Sequence, residues 1–265
     1  NIEYNYFNCM KNEISLMFSG GVDSTMAAVL LSKKYDKVHL LTYNNGYGHI
    51  FLKTTKKRVN ELSKKFGNKF VYSLSSTKDL FENITVNNVA NEFKEHKSGF
   101  VWCMGCKLAM HTKSIIYNLE NGIRDIADGS SKSTENMIEQ KPFSLALIKS
   151  IYQRFNINYH TPVYDISRKE EIRRLKKMKF NMGWFKIMDR FVGIQPKCLA
   201  GEIYYLPNIL FGTSPKHNND EILKFFKKKI DLIESYIQNH FNKNGLDIEI
   251  LKKRLVLNEK SIIKD

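Results

Sequence analysis

The hexapeptide Ser19-Gly20-Gly21-Val22-Asp23-Ser24 separates a short apolar stretch from an amphipathic one. Residues 13–18 predict a buried strand and residues 23–34 predict a helix, so the hexapeptide is the turn between them. Its glycines let backbone N–H groups approach an anion closely, and the helix N-terminus adds a partial positive charge. The hydroxyls of Ser19 and Ser24 are further donors. The pattern therefore predicts a phosphate-binding loop, although a plain glycine turn capped by Asp or Ser would also use these residues.

Apolar strands alternate with amphipathic helices after this turn. Strands are predicted over residues 37–43, 69–74, 123–127 and 160–164, and helices over residues 51–66, 77–93, 106–121 and 143–155. The alternation indicates an α/β fold, a doubly wound parallel sheet with helices on both faces. The turn then lies at the carboxyl end of the first strand, where open α/β sheets bind ligands.

We place the sheet in a first domain, residues 1–180, followed by a mostly helical C-terminal region, residues 181–265, with helices over residues 219–242 and 247–257. A hydrophobic content of 42% and a charged content of 26% exclude a disordered or fibrous chain. Since no apolar run reaches the roughly 18–20 residues of a membrane helix and the first residues do not form a secretory signal, we expect a cytoplasmic protein without a membrane partner.

The hexapeptide resembles the SGGxDS signature of the PP-loop ATP pyrophosphatases, which have an adenine nucleotide α-hydrolase-like fold and cleave ATP between its α- and β-phosphates. The resemblance implies ATP binding, with Asp23 helping to hold Mg2+ beside the pyrophosphate. It also implies that Thr42 and Tyr43, at the end of the second strand, lie near the adenine and ribose. The residues to which it assigns phosphate binding are Ser19, Gly20, Gly21, Asp23 and Ser24.

Three cysteines are candidates for metal or sulfur chemistry. Cys103 and Cys106 form a C-x-x-C pair at a predicted helix start, where the helix N-terminus lowers the pKa of a thiol. Taken alone, the pair fits a redox dithiol, half of a zinc site, or two buried small residues. Cys198 lies far along the chain, in a loop shaped by Pro196 and Gly201.

This cysteine pattern is similar to that of the iron–sulfur subgroup of PP-loop sulfurtransferases, which includes tRNA thiolation enzymes and pincer-cofactor sulfur transferases. The resemblance implies a [4Fe–4S] cluster held by Cys103, Cys106 and Cys198, with one iron open to hydrosulfide or substrate. The alternative is zinc, which in a structural site takes a fourth protein ligand. Cys9, His96 and His111 are candidates for that ligand.

Asp128-Gly129-Ser130 follows the fourth predicted strand. The tRNA thiolation enzymes tend to carry a histidine-containing segment at this point, and the D-G-S form is closer to that of the pincer-cofactor enzymes. We expect Asp128, Gly129 and Ser130 to bind the ATP ribose or Mg2+. The alternative is an Asp-Gly turn that caps the next helix. Because the segment differs from that of the tRNA thiolation enzymes, both an RNA acceptor and a small-molecule acceptor remain possible.

Lysine and arginine outnumber aspartate and glutamate by 42 to 27, but most of this excess is lysine in an Asn- and Ile-rich composition, so charge alone does not indicate a polyanionic partner. Residues 168–190 concentrate the basic residues and carry aromatic residues among them, which suits phosphate contacts and base stacking. The alternative is a solvated helix face followed by core aromatic residues. The residues expected to contact an RNA or another substrate are Arg168, Arg173, Arg174, Lys177 and Lys197.

Together these patterns lead us to expect an ATP-dependent sulfurtransferase that releases AMP and pyrophosphate. The acceptor oxygen, in a tRNA base or a small molecule, is adenylated and then replaced by sulfur from sulfide or a persulfide carrier. We expect Asp23, Cys103, Cys106 and Cys198 to be catalytic, Lys107 and Lys53 to add electrostatic stabilisation, and the chain to be able to form a homodimer. A thiol that carries a persulfide, a small-molecule carboxylate-adenylating enzyme of this fold, and a non-catalytic nucleotide or metal sensor are the alternatives.

Overall fold

The computed structural model describes residues 12–181, 197–204 and 218–260. Cys9, Pro196 and residues 182–190 of the predicted basic segment lie outside the described residues. The side chain of Lys197 is likewise outside them.

A five-stranded parallel sheet forms the centre of the fold. Its strands are β1 (Glu13–Met17), β2 (Lys37–Asn44), β4 (Phe70–Ser76), β5 (Asp125–Ala127) and β6 (Asn158–His160). They lie in the order β4-β2-β1-β5-β6, and each neighbouring pair is parallel. From β1 the chain builds outward first on one side and then on the other, so the topological switch point lies between β1 and β5. Ligands bind at this point in open α/β sheets.

Helices cover both faces of the sheet, as the alternating pattern predicts. Their bounds are α1 (Val22–Leu31), α2 (Thr55–Phe66), α3 (Lys78–Ile84), α4 (Val89–His96), α5 (Phe100–Asn121), α6 (Pro142–Gln153), α7 (Arg168–Lys177), α8 (Leu199–Tyr204), α9 (Asn219–Lys243) and α10 (Ile248–Lys260). One apolar cluster joins β1 and β2 to α1, α2 and α7. A second joins α3, α5 and α6 to α9 and α10 on the opposite face. The doubly wound α/β fold with a mostly helical C-terminal region is confirmed.

The helix predicted over residues 77–93 is instead two helices, α3 and α4, because the backbone leaves the helical conformation at Thr85. Helix α5 approaches so closely here that a Cβ atom on Gly105 would lie 1.8 Å from Thr85 Oγ1. Helix α5 also begins at Phe100, six residues before its predicted start. The C-x-x-C pair therefore lies inside the first two turns of a long helix.

The two C-terminal helices pack onto the sheet domain. Phe225, Phe226 and Phe241 of α9 are fully buried in the cluster that also contains Ile148 of α6 and Leu108 of α5. The domain boundary at residue 180 stays a prediction. Among the described residues, no helix is both long enough and apolar enough to cross a membrane.

A two-stranded antiparallel ribbon lies apart from the main sheet. Strand β3 (His49–Ile50) pairs with β7 (Lys197–Cys198), and His49 lies opposite Cys198. Leu199 donates its backbone N–H to the Gly48 carbonyl at 3.0 Å and so extends the pairing. The ribbon joins the loop after β2 to the third cysteine, across about 150 residues of chain.

Candidate functional site

A cavity of about 290 Å³ opens at the carboxyl ends of the central strands. The phosphate-loop residues Ser19, Asp23 and Ser24 line one part of it, and Cys198 lines another. Its remaining walls come from three strand ends and two helices, through Met17, Phe18, Leu41, Thr42, Tyr43, His49, Leu52, Lys107, Met110, Asp128, Gly129, Ser130 and Gln140. The cavity therefore brings together three separate predictions: the phosphate loop, the segment after β5, and the third cysteine.

The phosphate loop has no side-chain cap at its helix. Gly21 is the N-cap residue of α1, and no side chain hydrogen-bonds to the first helical N–H groups there. Gly20 has φ +74°, a conformation that favours glycine. Ser19 Oγ accepts a hydrogen bond from the Gly21 N–H at 3.3 Å and lies 3.1 Å from Ser24 Oγ. The capped-turn alternative is therefore wrong, and the helix start is free to receive an anion.

Gly129 brings the segment after β5 against this loop. A Cβ atom at this position would lie 2.8 Å from the backbone nitrogen of Ser24 and 3.0 Å from its Cα. Real Cβ atoms do not approach backbone so closely, so only glycine allows this contact. The side chain of Ser130 is buried at the cavity wall, where it interacts with Tyr159.

Asp128 is fully engaged inside the protein. Its Oδ2 accepts hydrogen bonds from Lys107 Nζ at 2.7 Å and from the Tyr159 hydroxyl at 2.8 Å, and its Oδ1 accepts from the Ser130 N–H at 2.9 Å. Burial acts to raise the pKa of Asp128, but Lys107, His111 and the Ser130 N–H together outweigh burial, and the pKa falls to about 2. The predicted contact of this carboxylate with ribose or Mg2+ does not fit these bonds. Asp128 instead fixes the Lys107 ammonium group at the cavity, whereas Lys53 is exposed.

Thr42 and Tyr43 line the cavity, but their hydroxyl groups already have partners. Thr42 Oγ1 donates to the Phe18 carbonyl at 2.6 Å, and the Tyr43 hydroxyl lies 2.8 Å from Ser114 Oγ in the core. These bonds tie the end of β2 to β1 and α5. Both residues therefore shape the cavity wall, and their hydroxyls are not free to bind a nucleotide.

Asp23 faces the cavity and contacts helix α7. The guanidinium of Arg168 donates to Asp23 Oδ2. Glu171 is fully buried nearby, and burial together with Asp23 raises the pKa of Glu171 to about 8. The sequence assigned Arg168 to a nucleic-acid surface, and the structure places it at the phosphate loop.

Cys103, Cys106 and Cys198 converge near the cavity and interact electrostatically with one another. Cys106 Sγ accepts a hydrogen bond from Asn45 Nδ2 at 3.1 Å and lies 3.9 Å from His49 Nε2. Sequence reasoning missed Asn45 and His49. The one sequence signal for them is the stretch Asn45 to Gly48, which follows β2 and contains two glycines, as expected of a tight turn.

The three thiols have raised pKa values because they are largely buried, whereas the sequence predicted lowered ones. Burial raises the pKa of Cys106 to about 12 and also raises the pKa values of Cys103 and Cys198. The predicted lowering by a helix N-terminus does not hold, because loss of water outweighs the helix dipole at these positions. A thiolate at this site therefore needs a bound cation or cluster.

Neither histidine proposed as a fourth zinc ligand contacts the cysteines. His96 Nδ1 lies 2.8 Å from Glu221 Oε2, in a network of α4 and α9 that also includes Glu92 and Lys228. His111 Nδ1 lies 2.7 Å from the Tyr152 hydroxyl, within the core. Glu92, Glu95 and His96 have ligand atoms within 4.8 Å of one another. Among the described residues, no other three Cys, His, Asp or Glu side chains do. Lysines of α9 form ion pairs with both glutamates.

The predicted substrate-binding basic residues separate into two groups. Arg173 and Arg174 are exposed on α7, and both donate to the Glu170 carboxylate, at 2.6 Å from their Nε atoms. Lys177 is exposed at the end of the helix. The backbone of Lys197 pairs with Ile50 in the ribbon. Contact of these residues with a nucleic acid stays a prediction.

Comparison with known proteins shows what this chain is similar to. The model of a family of unknown function (DUF7411) matches residues 12–186. No curated protein sequence matches the chain. A solved structure of a predicted tRNA methyltransferase subunit from Methanocaldococcus jannaschii is 23% identical, with 62% of this chain and 74% of that chain covered and a TM-score of 0.39.

A second solved structure is a 4-thiouridine synthetase in complex with RNA and bound ATP. It is 12% identical, with a TM-score of 0.52, and the match covers 92% of this chain and 53% of that chain. The chain thus spans about half the length of that synthetase. This likeness shows that the chain shares the fold of that synthetase.

Proposed function

We propose that this chain, which belongs to the DUF7411 family, is an ATP-dependent sulfurtransferase that adenylates an acceptor oxygen and replaces it with sulfur. One observation carries the proposal: a single cavity is lined by the phosphate loop on one side and by Cys198 on another. An enzyme that activates with ATP and then delivers sulfur needs both chemistries at one acceptor atom. The 4-thiouridine synthetase that shares the fold was solved with ATP and RNA, which supports the same pair of ligands here.

In the first proposed step, an acceptor oxygen attacks the α-phosphorus of ATP. The new P–O bond forms as the bond to the β-phosphate breaks, and pyrophosphate leaves with the electron pair of that bond. Negative charge grows on the phosphate oxygens, and the N–H groups at the start of α1 stabilise it. Lys107, fixed by Asp128, adds a cation at the same wall. Asp23 is the residue that would hold Mg2+.

In the second step, hydrosulfide attacks the acceptor carbon. The C–S bond forms, the C–O bond to the adenylate breaks, AMP leaves with the electron pair, and the sulfur proton passes to solvent. Burial of the site keeps water from competing with sulfide for the activated carbon. The cavity wall formed by Met17, Phe18 and Leu41 beside the phosphate loop supports this exclusion.

Cys103, Cys106 and Cys198 fit a [4Fe–4S] cluster better than a single zinc ion. Thiolates on one tetrahedral zinc, at about 2.3 Å from the metal, lie less than about 4 Å apart. These three sulfurs do not form a set within 4.8 Å, although they are near enough to interact. The distances between the sulfurs suit a cluster, which is larger than a single ion. Buried thiols stay protonated unless a metal binds their thiolate form, and a cluster does so. Such a cluster with three protein ligands would supply an open iron that binds hydrosulfide.

The acceptor we propose is a tRNA base. The exposed Lys177, with Arg173 and Arg174 beside it, gives α7 a basic surface suited to phosphate contacts. The second candidate is a small-molecule acceptor, favoured by the Asp128-Gly129-Ser130 segment that replaces a histidine-containing one. The two candidates share the same first step.

ATP–pyrophosphate exchange tests the first step and separates the acceptors. We expect wild-type protein to exchange radiolabelled pyrophosphate into ATP when it is given cell RNA, and not when it is given a small-molecule extract. Asp23→Asn should lower the exchange rate at least tenfold, and Asp36→Asn, at an exposed position, should leave it unchanged. Exchange with the extract alone would overturn the tRNA acceptor. No exchange with either fraction would overturn the proposed enzyme and favour a nucleotide sensor.

Anaerobic reconstitution tests the cluster. Iron and sulfide should produce an absorption band near 400 nm, from the general behaviour of thiolate-bound clusters. Ser substitution of any of the three cysteines should reduce it. Absence of the band, with one zinc bound per chain, would refute the cluster.

A further inference from the structure

Phe51 is an exposed aromatic residue beside the cavity. It follows strand β3, and the nearby residues His49 and Leu52 line the cavity, whereas Phe51 itself is 44% exposed. The chain then enters α2 at Thr55, which lies against the phosphate loop, since a Cβ atom on Gly20 would be 3.4 Å from Thr55 Cα. The segment that carries the Phe51 ring therefore runs from the cavity wall to the phosphate loop.

The backbone of Phe51 has a conformation that a bulky residue rarely adopts. Its φ is +60° and its ψ is +22°, in the left-handed region that favours glycine. The Phe51 carbonyl accepts hydrogen bonds from the Thr54 N–H at 2.9 Å and from Thr54 Oγ1 at 2.6 Å, and these bonds hold the conformation. A ring that is almost half exposed gains little from burial to offset the strain. Strain of this kind is typical of functional positions.

Lysines beside Phe51 are also placed where they do not stabilise the fold. Lys53, Lys56 and Lys57 are exposed, and none of them forms an ion pair with another described residue. The first turn of α2 contains Lys56 and Lys57 and no acidic residue, so these cations meet the positive end of the helix dipole. On the opposite face of the sheet, Lys224 and Lys228 of α9 do have acidic partners. The lysines near Phe51 therefore leave positive charge available to an anionic ligand.

We propose that Phe51 and these three lysines bind the RNA acceptor, with the ring stacked on an unpaired base beside the base that enters the cavity. The lysines contact the phosphates that flank the stacked base. The inference rests on the proposed function, in which the acceptor is a tRNA base. Stacking needs an exposed ring held in one orientation, and phosphate contacts need cations near the same nucleotide. One ligand thus accounts for both the strained ring and the unpaired lysines.

The test measures binding of unfractionated cell tRNA to the full chain at several salt concentrations. Phe51→Leu should weaken binding about tenfold through the loss of one stacked base, without changing the salt dependence, and Phe51→Trp should bind like wild type. Phe93→Leu is the matched control, because Phe93 is also 44% exposed but lies on α4, and it should bind like wild type. Lys56→Gln should reduce the slope of log affinity against log salt by about one. Lys94→Gln, at an exposed position of α4, should leave that slope unchanged.

Phe51→Gly separates RNA binding from folding. Glycine adopts a φ of +60° without strain, which offsets the loss of the partly buried ring, so this variant should keep the urea midpoint of wild type and still bind tRNA about tenfold more weakly. If wild type binds tRNA and Phe51→Leu and Phe51→Gly bind it equally well, the stacking inference is overturned alone. A lowered urea midpoint in Phe51→Gly also overturns it, since the ring is then structural. If wild type binds no tRNA but exchanges pyrophosphate into ATP with a small-molecule extract, this inference fails with the tRNA acceptor while the ATP chemistry stands.

Discussion

Gly129 is the residue through which the second half of the sheet reaches the phosphate loop. An alanine Cβ there would lie 2.8 Å from the Ser24 backbone nitrogen, so the start of α1 or the end of β5 would have to move. We predict that Gly129→Ala costs about 1–3 kcal/mol of unfolding free energy, as overpacking does, and weakens ATP binding at least tenfold. Urea unfolding and calorimetry would measure the two effects. Wild-type ATP affinity in this variant would show that the close approach does not shape the site.

Lys107 and Asp128 form a buried ion pair, and its loss should lower the free energy of unfolding. Asp128→Asn leaves the Lys107 ammonium buried without its counter-charge, which typically costs about 3–5 kcal/mol. Because the pKa of Asp128 is depressed to about 2, the pair is intact above about pH 4 and is lost as the pH falls through about 2. The difference in unfolding free energy between wild type and Asp128→Asn should therefore shrink on acidification. Denaturant unfolding at pH 6 and near pH 2.5 measures this difference, and a constant value would contradict the account.

At the scale of elements, the β3–β7 ribbon brings Cys198 to the other two cysteines. Gly48 has φ +92°, a conformation that L side chains rarely adopt, and its carbonyl accepts the Leu199 N–H beside the third cysteine. We predict that Gly48→Ala displaces the ribbon and lowers the iron content after anaerobic reconstitution at least twofold. An L-residue at such a φ is strained wherever it occurs, by about 1–2 kcal/mol.

Gly245→Ala is the matched control for the ribbon. Gly245 has a similar φ of +68°, but nothing lies within 4 Å of the Cβ that alanine would add. It should therefore lose comparable stability and keep its iron. Equal iron content in the two variants would show that the ribbon does not position Cys198.

The sheet and most helices could be predicted from the sequence because their signals are local. The strand at residues 13–17 and the helix at residues 22–31 show the apolar runs and spacings expected of them. The break at Thr85 could not be predicted, because it depends on the close approach of Gly105 from another helix. The pairing of His49 with Cys198 joins distant parts of the chain and leaves no periodic pattern.

In the candidate site too, features with a local sequence signal could be predicted, and contacts between distant segments could not. The loop from Ser19 to Ser24 carried its own signature, and the structure places it at a cavity together with Cys198. The partners of Asp128 and Asp23 could not be predicted, since Lys107 and Arg168 reach them only in the folded chain. The sequence shows that these side chains are charged, but it does not show which acidic and basic side chains form ion pairs.

At the scale of the whole molecule, the C-terminal helices and the sheet share one apolar cluster. We predict that Phe225→Ala costs about 3–5 kcal/mol, because its fully buried ring packs between α9 and α5. Unfolding should remain a single transition by circular dichroism and by tryptophan fluorescence. Phe93→Ala, at a position 44% exposed, should cost less than about 1 kcal/mol. A separate early transition of the C-terminal helices would contradict this prediction.

We propose that ATP activation and sulfur delivery occur in one cavity. It is tested most directly by incubating the reconstituted protein with ATP, Mg2+, radiolabelled sulfide and cell RNA, and by counting AMP and RNA-bound sulfur together. We expect one sulfur to be incorporated per AMP formed, and sulfur incorporation to be lost when Cys198 is replaced by serine. Formation of ADP in place of AMP, or sulfur incorporation without ATP, would contradict it.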